Sequence, residues 1–257
     1  MQRILNAACE CSAGLVREHN EDNFLFADQI LPSVNQGLEE MLYLNCLIKT
    51  GLFLGVFDGV GGEKMGEMAA FAAAKEMRRQ LRRGLPVLRS EKRYLDKVCQ
   101  KLNEAVFYAS PEENGGGMYT TMAGVYFGRK YLWICNVGDS RVMRLRNGVL
   151  ETLSCEHTNR EYLIRHGIEG RKPHLIQYLG INPTGMKIEP HITAEANMPG
   201  DRYLLCSDGL TDMLHDDSIL QILSDGRDPV SCVRQLTDEA LAQGGKDNLT
   251  VIVFEIE

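Results

Sequence analysis

The stretch TTMAGVYFGRKYLWICNVGDSRVMRLRNGVLETLS, residues 120–154, decides the fold class. Short runs rich in β-branched and aromatic residues alternate there with Gly-Arg and Asn-Gly turns, which is the pattern of consecutive hairpins. Further strand-like runs follow at 188–193, 203–206 and 249–255. The stretch therefore predicts an antiparallel meander within a sheet-rich fold.

Amphipathic helical patterns lie on both sides of the meander. Residues 63–83 and 90–110 carry apolar residues at helical spacing, and a Gly-Leu-Pro break separates them. Two shorter patterns follow near 217–223 and 230–243. Because no linker, repeat or low-complexity tract divides the chain, we expect one α+β domain, with two packed sheets and helices on their outer faces.

The composition of the chain argues against some classes of binding partner. The formal net charge is −7, from 35 acidic and 28 basic residues, which argues against nucleic acid or an anionic membrane as the main partner. A hard cation is the more natural guest of such a chain. Eight cysteines without a C-x-x-C pair suit a reducing compartment. Because the N-terminal apolar stretch is too short for a signal peptide and no run approaches roughly 18 apolar residues, the chain is expected to be cytoplasmic.

Acidic residues recur at the ends of the strand-like runs. Asp58 follows the apolar run 52–57, and Gly59 beside it permits close approach of the backbone. The surrounding FDGVGG is not a phosphate-binding loop, because Lys64 stands where the P-loop and dinucleotide fingerprints both need glycine. The other acidic residues beside strand-like runs are Glu21, Asp22, Asp139, Asp208, Asp212 and Asp247.

This recurrence favours a shared site, although each such loop taken singly is most often an ordinary turn. Carboxylates gathered at one end of a sandwich would repel one another unless they were protonated or bridged by metal. Oxygen ligands without a cluster of histidine and cysteine favour Mg²⁺ or Mn²⁺ over Zn²⁺. The sequence therefore predicts a site for divalent cations.

Six motifs in a fixed order carry a family resemblance. They are R-x-x-N-E-D from Arg17, F-D-G-x-G-G from Phe57, a Thr-Thr strand, N-V-G-D-S-R, S-D-G-L-T-D and K-D-N-x-T. They extend from Gly14 to Val253, and the chain resembles the metal-dependent protein phosphatases, the PPM or type 2C serine/threonine phosphatases. The resemblance implies one phosphatase domain over residues 1–257, a four-layer α-β-β-α sandwich of two antiparallel sheets flanked by helix pairs.

The resemblance also implies a chemistry. It predicts two Mn²⁺ or Mg²⁺ ions and hydrolysis of phosphoserine and phosphothreonine in proteins by direct attack of a metal-bridging hydroxide. Asp58 would bridge both metals, and the Gly59 carbonyl would bind one of them. Glu21 would complete the shell of one metal, and Asp208 with Asp247 that of the other. Because a water between two cations ionises near neutral pH, no phospho-enzyme is needed.

The remaining matched positions receive supporting roles from the resemblance. Arg17 would hold the substrate phosphate with its planar, always-charged fork. Asp22 would support metal-bound water, and Asn248 would order the loop beside Asp247. A third, weaker metal would lie at the positions that match Asp139, Asp208 and Asp212.

Val60 is the main departure from the family pattern. Many eukaryotic relatives carry a histidine there as the general acid, whereas bacterial relatives commonly lack it, so the chain is identified as a bacterial-type member. A metal-bound water then becomes the expected proton donor. His157, His166 and His174 offer an alternative proton donor, but isolated loop histidines are more often solvated bystanders, and we favour that interpretation for them and for His19.

Two segments differ in length from the family pattern. Residues 155–183 correspond to the family's flap, which is abbreviated here, so they say little about substrate choice. Residues 28–51 are longer than the hairpin of many bacterial relatives; we interpret them as a longer loop, with a partner surface as the alternative. A basic cluster is interpreted as a solvated helix face: Arg78, Arg79, Arg82 and Arg83.

Three functional hypotheses follow. The leading one is an active, monomeric protein phosphatase that acts on phosphorylated proteins and opposes a bacterial serine/threonine kinase. The second is a catalytically weak pseudophosphatase that serves as a regulatory binding module, motivated by Val60 and the short flap. The third is a phosphatase of small phosphomonoesters. The complete set of expected metal carboxylates favours the first hypothesis.

Overall fold

The computed structural model describes residues 3–60, 65–84, 90–111 and 117–257. Within these ranges the strands are β1 (Ile4–Ser12), β2 (Asp22–Phe26), β3 (Leu42–Leu47), β4 (Phe53–Val60), β5 (Tyr119–Thr120), β6 (Met122–Phe127), β7 (Leu132–Val137), β8 (Arg141–Arg146), β9 (Val149–Thr152), β10 (His191–Glu195), β11 (Arg202–Cys206) and β12 (Leu249–Ile256). The helices are α1 (Met65–Arg83), α2 (Glu91–Ala109), α3 (Arg160–Arg165), α4 (Asp208–Thr211), α5 (Asp216–Ser224) and α6 (Pro229–Ala242).

The strands form two antiparallel sheets. The first has the order β3-β1-β12-β11-β8-β9, and the second has the order β10-β7-β6-β4-β2, with β5 paired to β4. The predicted meander is therefore divided, because β6 and β7 pair in the second sheet while β8 and β9 pair in the first. The chain changes sheets at residues 138–140, where Gly138 has a φ of 105° that favours glycine.

Apolar side chains fill the spaces between the layers. The inner faces of the two sheets enclose a cluster that includes Phe24, Tyr203 and Phe254, and the rings of the last two stack with centroids 4.7 Å apart. The outer face of the second sheet packs against α1 and α2, and that of the first sheet against α5 and α6. Each large side chain buried in this way contributes about 1.5–3 kcal/mol. The predicted α-β-β-α architecture is confirmed.

Helix α1 owes its close packing to small residues. Ala69, Ala70, Ala73 and Ala74 are fully buried, and their short side chains let the helix axis approach the second sheet. At the other side of the sandwich, α6 begins with Pro229 after Asp228, whose carboxylate accepts a hydrogen bond from the Ser231 backbone at 3.0 Å. This cap fixes where α6 starts.

The structure refines several predicted boundaries. Helix α1 is described from Met65, while Glu63, Lys64 and the Leu85–Pro86 part of the predicted break lie outside the described residues. The strand predicted at 188–193 is wrong in its first half, since β10 begins at His191 after Pro190, which has no N–H for a ladder. Among the described helices, none combines the length and apolar character that crossing a bilayer requires.

Candidate metal centre

Two of the predicted acidic residues, Asp22 and Asp58, lie face to face on neighbouring strands. Asp22 begins β2, Asp58 lies near the end of β4, and the two are direct partners in the antiparallel pairing. Like charges directly opposite each other destabilise a sheet. Burial raises the pKa of Asp22 to about 7. Burial, reinforced by the charge of Asp208, also raises the pKa of Asp58 well above its ordinary value.

The backbone of Asp58 is fixed by the predicted Thr-Thr strand. Its carbonyl accepts hydrogen bonds from the Thr121 N–H at 2.8 Å and the Thr120 hydroxyl at 2.9 Å. Its own N–H donates to Oγ1 of Thr121 at 3.2 Å, and this hydroxyl contacts Ser140 Oγ at 2.6 Å. The carboxylate of Asp58 therefore projects from a rigid strand end.

Glycine at position 59 lets Asp58, Glu21 and the start of α1 meet. The Gly59 N–H donates to the Glu21 carbonyl at 3.2 Å. A Cβ at Gly59 would stand 2.2 Å from the Gly66 carbonyl and 2.5 Å from that of Glu21, so no larger residue fits without a backbone shift. A Cβ at Gly66 would stand 2.7 Å from the Glu21 carboxyl carbon. The absence of a side chain at Gly59 and Gly66 therefore lets the Glu21 carboxylate lie close to the start of α1 and the end of β4.

Asp22 is held by hydroxyl donors deep in the sandwich. Only 2% of Asp22 is exposed, and its Oδ2 accepts hydrogen bonds from Ser207 Oγ at 2.8 Å and Thr250 Oγ1 at 2.7 Å. Ser207 Oγ in turn accepts from the Thr250 N–H at 3.0 Å. These contacts orient the carboxylate, but two neutral donors do not offset the cost of burying its charge.

Asn248 connects the N-terminal loop to the start of β12. Its amide donates to the carbonyls of Ala13 and His19 at 3.0 and 2.9 Å, and its Oδ1 accepts from the Glu21 N–H at 2.8 Å. Its own N–H donates to Asp247 Oδ1 at 2.9 Å. The loop that carries Glu21 is therefore fastened beside Asp247, as the sequence predicts.

Two of the outer carboxylates lie close to Lys172, in the segment 155–183. Lys172 Nζ lies 2.9 Å from Asp212 Oδ2 and 3.6 Å from Asp208 Oδ2. Burial and the charges of Asp139 and Asp212 raise the pKa of Asp208 to about 6. The pKa of Asp139 is raised chiefly by burial, and the positive charge of Lys172 partly opposes this shift. Asp139, Asp208 and Asp212 thus form one electrostatic group.

Arg17 occupies the other side of the same end. Its Nη2 lies 2.8 Å from Asp247 Oδ2, with about half of the Arg17 side chain exposed. The ion pair raises the pKa of Arg17, and the charges of Glu21 and Asp208 add to the effect. The guanidinium is therefore attracted by the whole carboxylate group rather than by Asp247 alone.

These donors fit hard divalent cations by their chemistry. All are carboxylate or carbonyl oxygens, and burial, reinforced by their mutual charges, raises the pKa values of Asp22, Asp58 and Asp208. Within the described ranges, however, no three side chains of His, Cys, Asp or Glu form a group that could hold a metal ion as they stand. Arg17 and Lys172 supply the positive charge in this arrangement, so cation binding requires these ion pairs to rearrange.

The histidines divide differently from the sequence interpretation. His166 and His174 are exposed, as expected of bystanders. His157 is buried instead and is held against Gly138 by two hydrogen bonds. Its Nδ1 accepts from the Gly138 N–H at 3.1 Å, and its backbone N–H donates to the Gly138 carbonyl at 2.9 Å. Burial lowers the pKa of His157, which keeps the ring neutral as an acceptor. It therefore supports the loop of Asp139 from within.

Glu67, in the first turn of α1, is a residue near the site that the sequence analysis missed. It is 3% exposed, and its Oε1 has no hydrogen-bond partner among the residues that the structure describes. This oxygen lies 3.7 Å from His19 Nδ1. Its charge also helps to raise the pKa of Glu21. A lone acidic residue after Gly66, on the alanine-rich face of the helix, is the signal that marks it in the sequence.

The basic cluster on α1 is largely paired. Arg82 donates two hydrogen bonds to the Asp28 carboxylate, at 3.1 and 2.6 Å. Arg79 donates two to Glu76, at 2.6 and 2.8 Å. These contacts agree with the interpretation of a solvated helix face.

Comparisons of the sequence and of the structure with known proteins all find protein phosphatases. The family profile described as protein phosphatase 2C matches residues 45–244. The serine/threonine phosphatase stp of Listeria innocua is 29% identical over 262 residues, which cover 98% of this chain and 96% of the relative. The serine/threonine protein phosphatase PstP of Mycobacterium tuberculosis is 32% identical over 260 residues, which cover 98% of this chain but 45% of the relative. A crystal structure of the PstP catalytic domain in complex with two manganese ions superposes with a TM-score of 0.75 at 29% identity, covering 99% of each chain.

Proposed function

The chain belongs to the protein phosphatase 2C family, and from this premise we propose that it hydrolyses phosphoserine and phosphothreonine in proteins with two Mn²⁺ or Mg²⁺ ions. The observation that carries the proposal is the facing pair Asp22–Asp58, with Asp208 close enough to raise the pKa of Asp58. Such a charge cluster is unfavourable in the folded protein unless cations offset it. The alternative of a purely structural cluster does not explain why three carboxylates are gathered there.

We assign the ligands as the resemblance implies. Asp58, the Gly59 carbonyl, Glu21, Asp208 and Asp247 would hold the two cations, and Asp139 with Asp212 would add the outer positions of a third. When bound, the cations would supply Lewis-acid charge and lower the pKa of an attacking water. The chain itself supplies the rigid strand end, the close glycine contacts and the excess of negative charge that attracts the ions.

Arg17 and Asp22 would serve the substrate and the water. Arg17 now lies 2.8 Å from Asp247; with Asp247 engaged as a cation ligand, the Arg17 guanidinium would be available to bind two oxygens of the substrate phosphate. Asp22 would orient the attacking water and accept its proton, since hydrogen bonds from Ser207 and Thr250 fix the orientation of its carboxylate.

The leaving alkoxide needs a proton that Val60 cannot give. Val60 is 43% exposed and carries no ionisable group. His157 is buried against Gly138, so its ring is committed to support of the neighbouring loop. We therefore retain water as the proton donor, as expected of a bacterial-type member.

The cellular setting is part of the same proposal. We propose that residues 1–257 act as one phosphatase domain, with 155–183 as its flap, in the cytoplasm and opposite a serine/threonine kinase. All eight cysteines are free, and seven of them are at least partly buried, which suits a reducing compartment. The ion pair of Lys172 with Asp212 supports a position of the proposed flap beside the acidic residues, where it would limit access to the site.

Hydrolysis assays separate the three functional hypotheses. The purified chain should release phosphate from a phosphothreonine peptide and from p-nitrophenyl phosphate with added Mn²⁺, and excess chelator should stop both reactions. Turnover of p-nitrophenyl phosphate and serine phosphate without turnover of any peptide would favour a small-molecule phosphatase. Bound Mn²⁺ without turnover of any substrate would favour the binding module and contradict the proposal.

A further inference from the structure

Strand β3 forms an edge of the first sheet that lacks the usual protection against pairing with another chain. Natural edge strands are shortened, covered, or interrupted by charge or proline. The opposite edge, β9, has four residues and carries Glu151 in an ion pair with Arg144. In the second sheet, β10 follows Pro190, and β2 is buried along its whole length. β3 has the uncharged sequence LYLNCL over residues 42–47 and no proline.

The outward side of β3 offers both hydrogen-bonding groups and apolar surface. Its residues alternate, so that Tyr43 (58% exposed), Asn45 and Leu47 (47% exposed) face solvent while the residues between them pack into the core. The Ile48 N–H donates to the Arg3 carbonyl of the strand beside it. Because the direction of N–H and C=O alternates along a strand, the backbone groups of Tyr43, Asn45 and Leu47 point to the open edge.

We propose that this edge pairs antiparallel with β3 of a second copy of the chain, around a two-fold axis at Asn45. In that register Tyr43 of each copy stands opposite Leu47 of the other, and pairing would remove apolar surface of both side chains from water. An isologous contact of this type closes on itself as a dimer.

Charge at the two ends of β3 favours the same arrangement. Glu39 and Glu40 precede the strand and Lys49 follows it, and all three are exposed. Antiparallel pairing brings the acidic end of one copy to the lysine of the other, whereas parallel pairing would place like charges together. This self-complementarity identifies a second copy, rather than an unrelated strand, as the partner.

The inference gives a role to the long segment 28–51, whose partner-surface alternative the sequence analysis left open. The proposed dimer differs from the monomer expected from sequence. The sequence alone does not show that β3 lies at a sheet edge, because this depends on the order of strands in the sheet. It does not rest on the proposed chemistry, since the carboxylates of the metal centre lie on other elements. A contact of one strand per copy is smaller than a permanent dimer interface, so we expect a dissociation constant on the order of 10 µM.

Sedimentation velocity of the wild-type chain from about 1 to about 200 µM tests the proposal. We expect a concentration-dependent shift from monomer to dimer, and Leu47→Lys should weaken association by about tenfold or more. Val149→Lys is the matched control, because Val149 is 65% exposed on the opposite edge of the same sheet. A single monomeric species throughout, or equal weakening by both variants, would overturn the proposal.

A cross-linking variant tests the proposed β3–β3 register. The substituted residue is exposed, so the variant should fold like the wild type. Asn45→Cys would place two thiols on the two-fold axis, where hydrogen-bonded antiparallel partners have Cα atoms about 5.5 Å apart, within the disulfide range of about 4.4–6.8 Å. The background carries Cys155→Ser to remove the exposed native thiol. We expect rapid disulfide-linked dimers under mild oxidation, and none with Val149→Cys. Equal cross-linking of the two variants would contradict the register.

Discussion

The inner and outer carboxylates of the candidate site are held in different ways. Asp22 and Asp58 lie on paired strands, and their positions are set by hydroxyl and backbone hydrogen bonds. Asp208 is the first residue of the short helix α4 and Asp212 follows its last residue, and the exposed Lys172 offsets their charge. The side chain of Asp212 is 43% exposed, whereas 2% of Asp22 is exposed.

This difference indicates a division of labour. Burial disfavours the charged forms of the inner pair, and bound cations or protons would relieve this cost. The outer group already has a partner in Lys172, whose ion pairs are solvated and easily exchanged. We therefore expect large effects from changes to the inner pair and small effects from changes to the outer group.

The largest effect is expected from Asp58→Asn. Loss of the carboxylate would remove a shared ligand while leaving the backbone hydrogen bonds to Thr120 and Thr121. Turnover of a phosphothreonine peptide should fall by about 10³-fold or more. Asp217→Asn, a change at an exposed position of α5, should leave turnover within about twofold. Comparable rates for the two variants would show that Asp58 has no special role.

An intermediate effect is expected from Asp22→Asn, measured as stability without metal. The folded-state pKa of Asp22, about 7, exceeds the ordinary value, so the folded state binds the extra proton between about pH 4 and 7. The stability contributed by this proton is present below about pH 4 and is lost as the pH rises through 7. Asparagine carries no such charge, and at pH 8 the variant should be more stable than the wild type by about 2 kcal/mol.

Urea unfolding in excess chelator at a series of pH values measures this difference. The gap between Asp22→Asn and the wild type should widen from pH 4 to 7 and then level off. A gap that does not change with pH, or a less stable variant at pH 8, would contradict the account of a strained inner pair.

The smallest effect is expected from Lys172→Met in the outer group. Removal of the ammonium eliminates a competitor for Asp208 and Asp212, so Mn²⁺ should bind the outer position about two- to fivefold more tightly. Lys187→Met is the matched control, because Lys187 is similarly exposed and pairs with Asp96 at 3.7 Å, away from the carboxylates named here. Equal Mn²⁺ titrations by calorimetry for the two variants would exclude Lys172 as a competitor.

Patterns confined to neighbouring residues were the most predictable part of the fold. The turns in residues 120–154 indicate β6 to β9 because apolar runs and turn residues alternate within a short stretch. The division of those strands between two sheets was not predictable, since it depends on which distant strands they meet. β1 and β3 also escaped prediction, because their apolar residues are interleaved with Asn, Cys and Glu and become strands through pairing with each other and with β12.

The candidate site shows the same limit. Asp58, Asp139 and Asp208 are recognisable because each follows a strand-like run, and the structure places them at one end of the molecule. Their roles as ligands stay predictions. The burial of His157 against Gly138 and of Glu67 in α1 could not be read from sequence, because both depend on elements that meet only in the folded chain.

Calorimetric titration of Mn²⁺ into the chelator-treated chain tests the central claim most directly. We predict that the wild type binds two Mn²⁺ ions tightly and that Asp58→Asn loses tight binding of at least one of them while remaining folded. Unchanged stoichiometry and affinity in Asp58→Asn would contradict the claim that the inner carboxylates bind the metal ions.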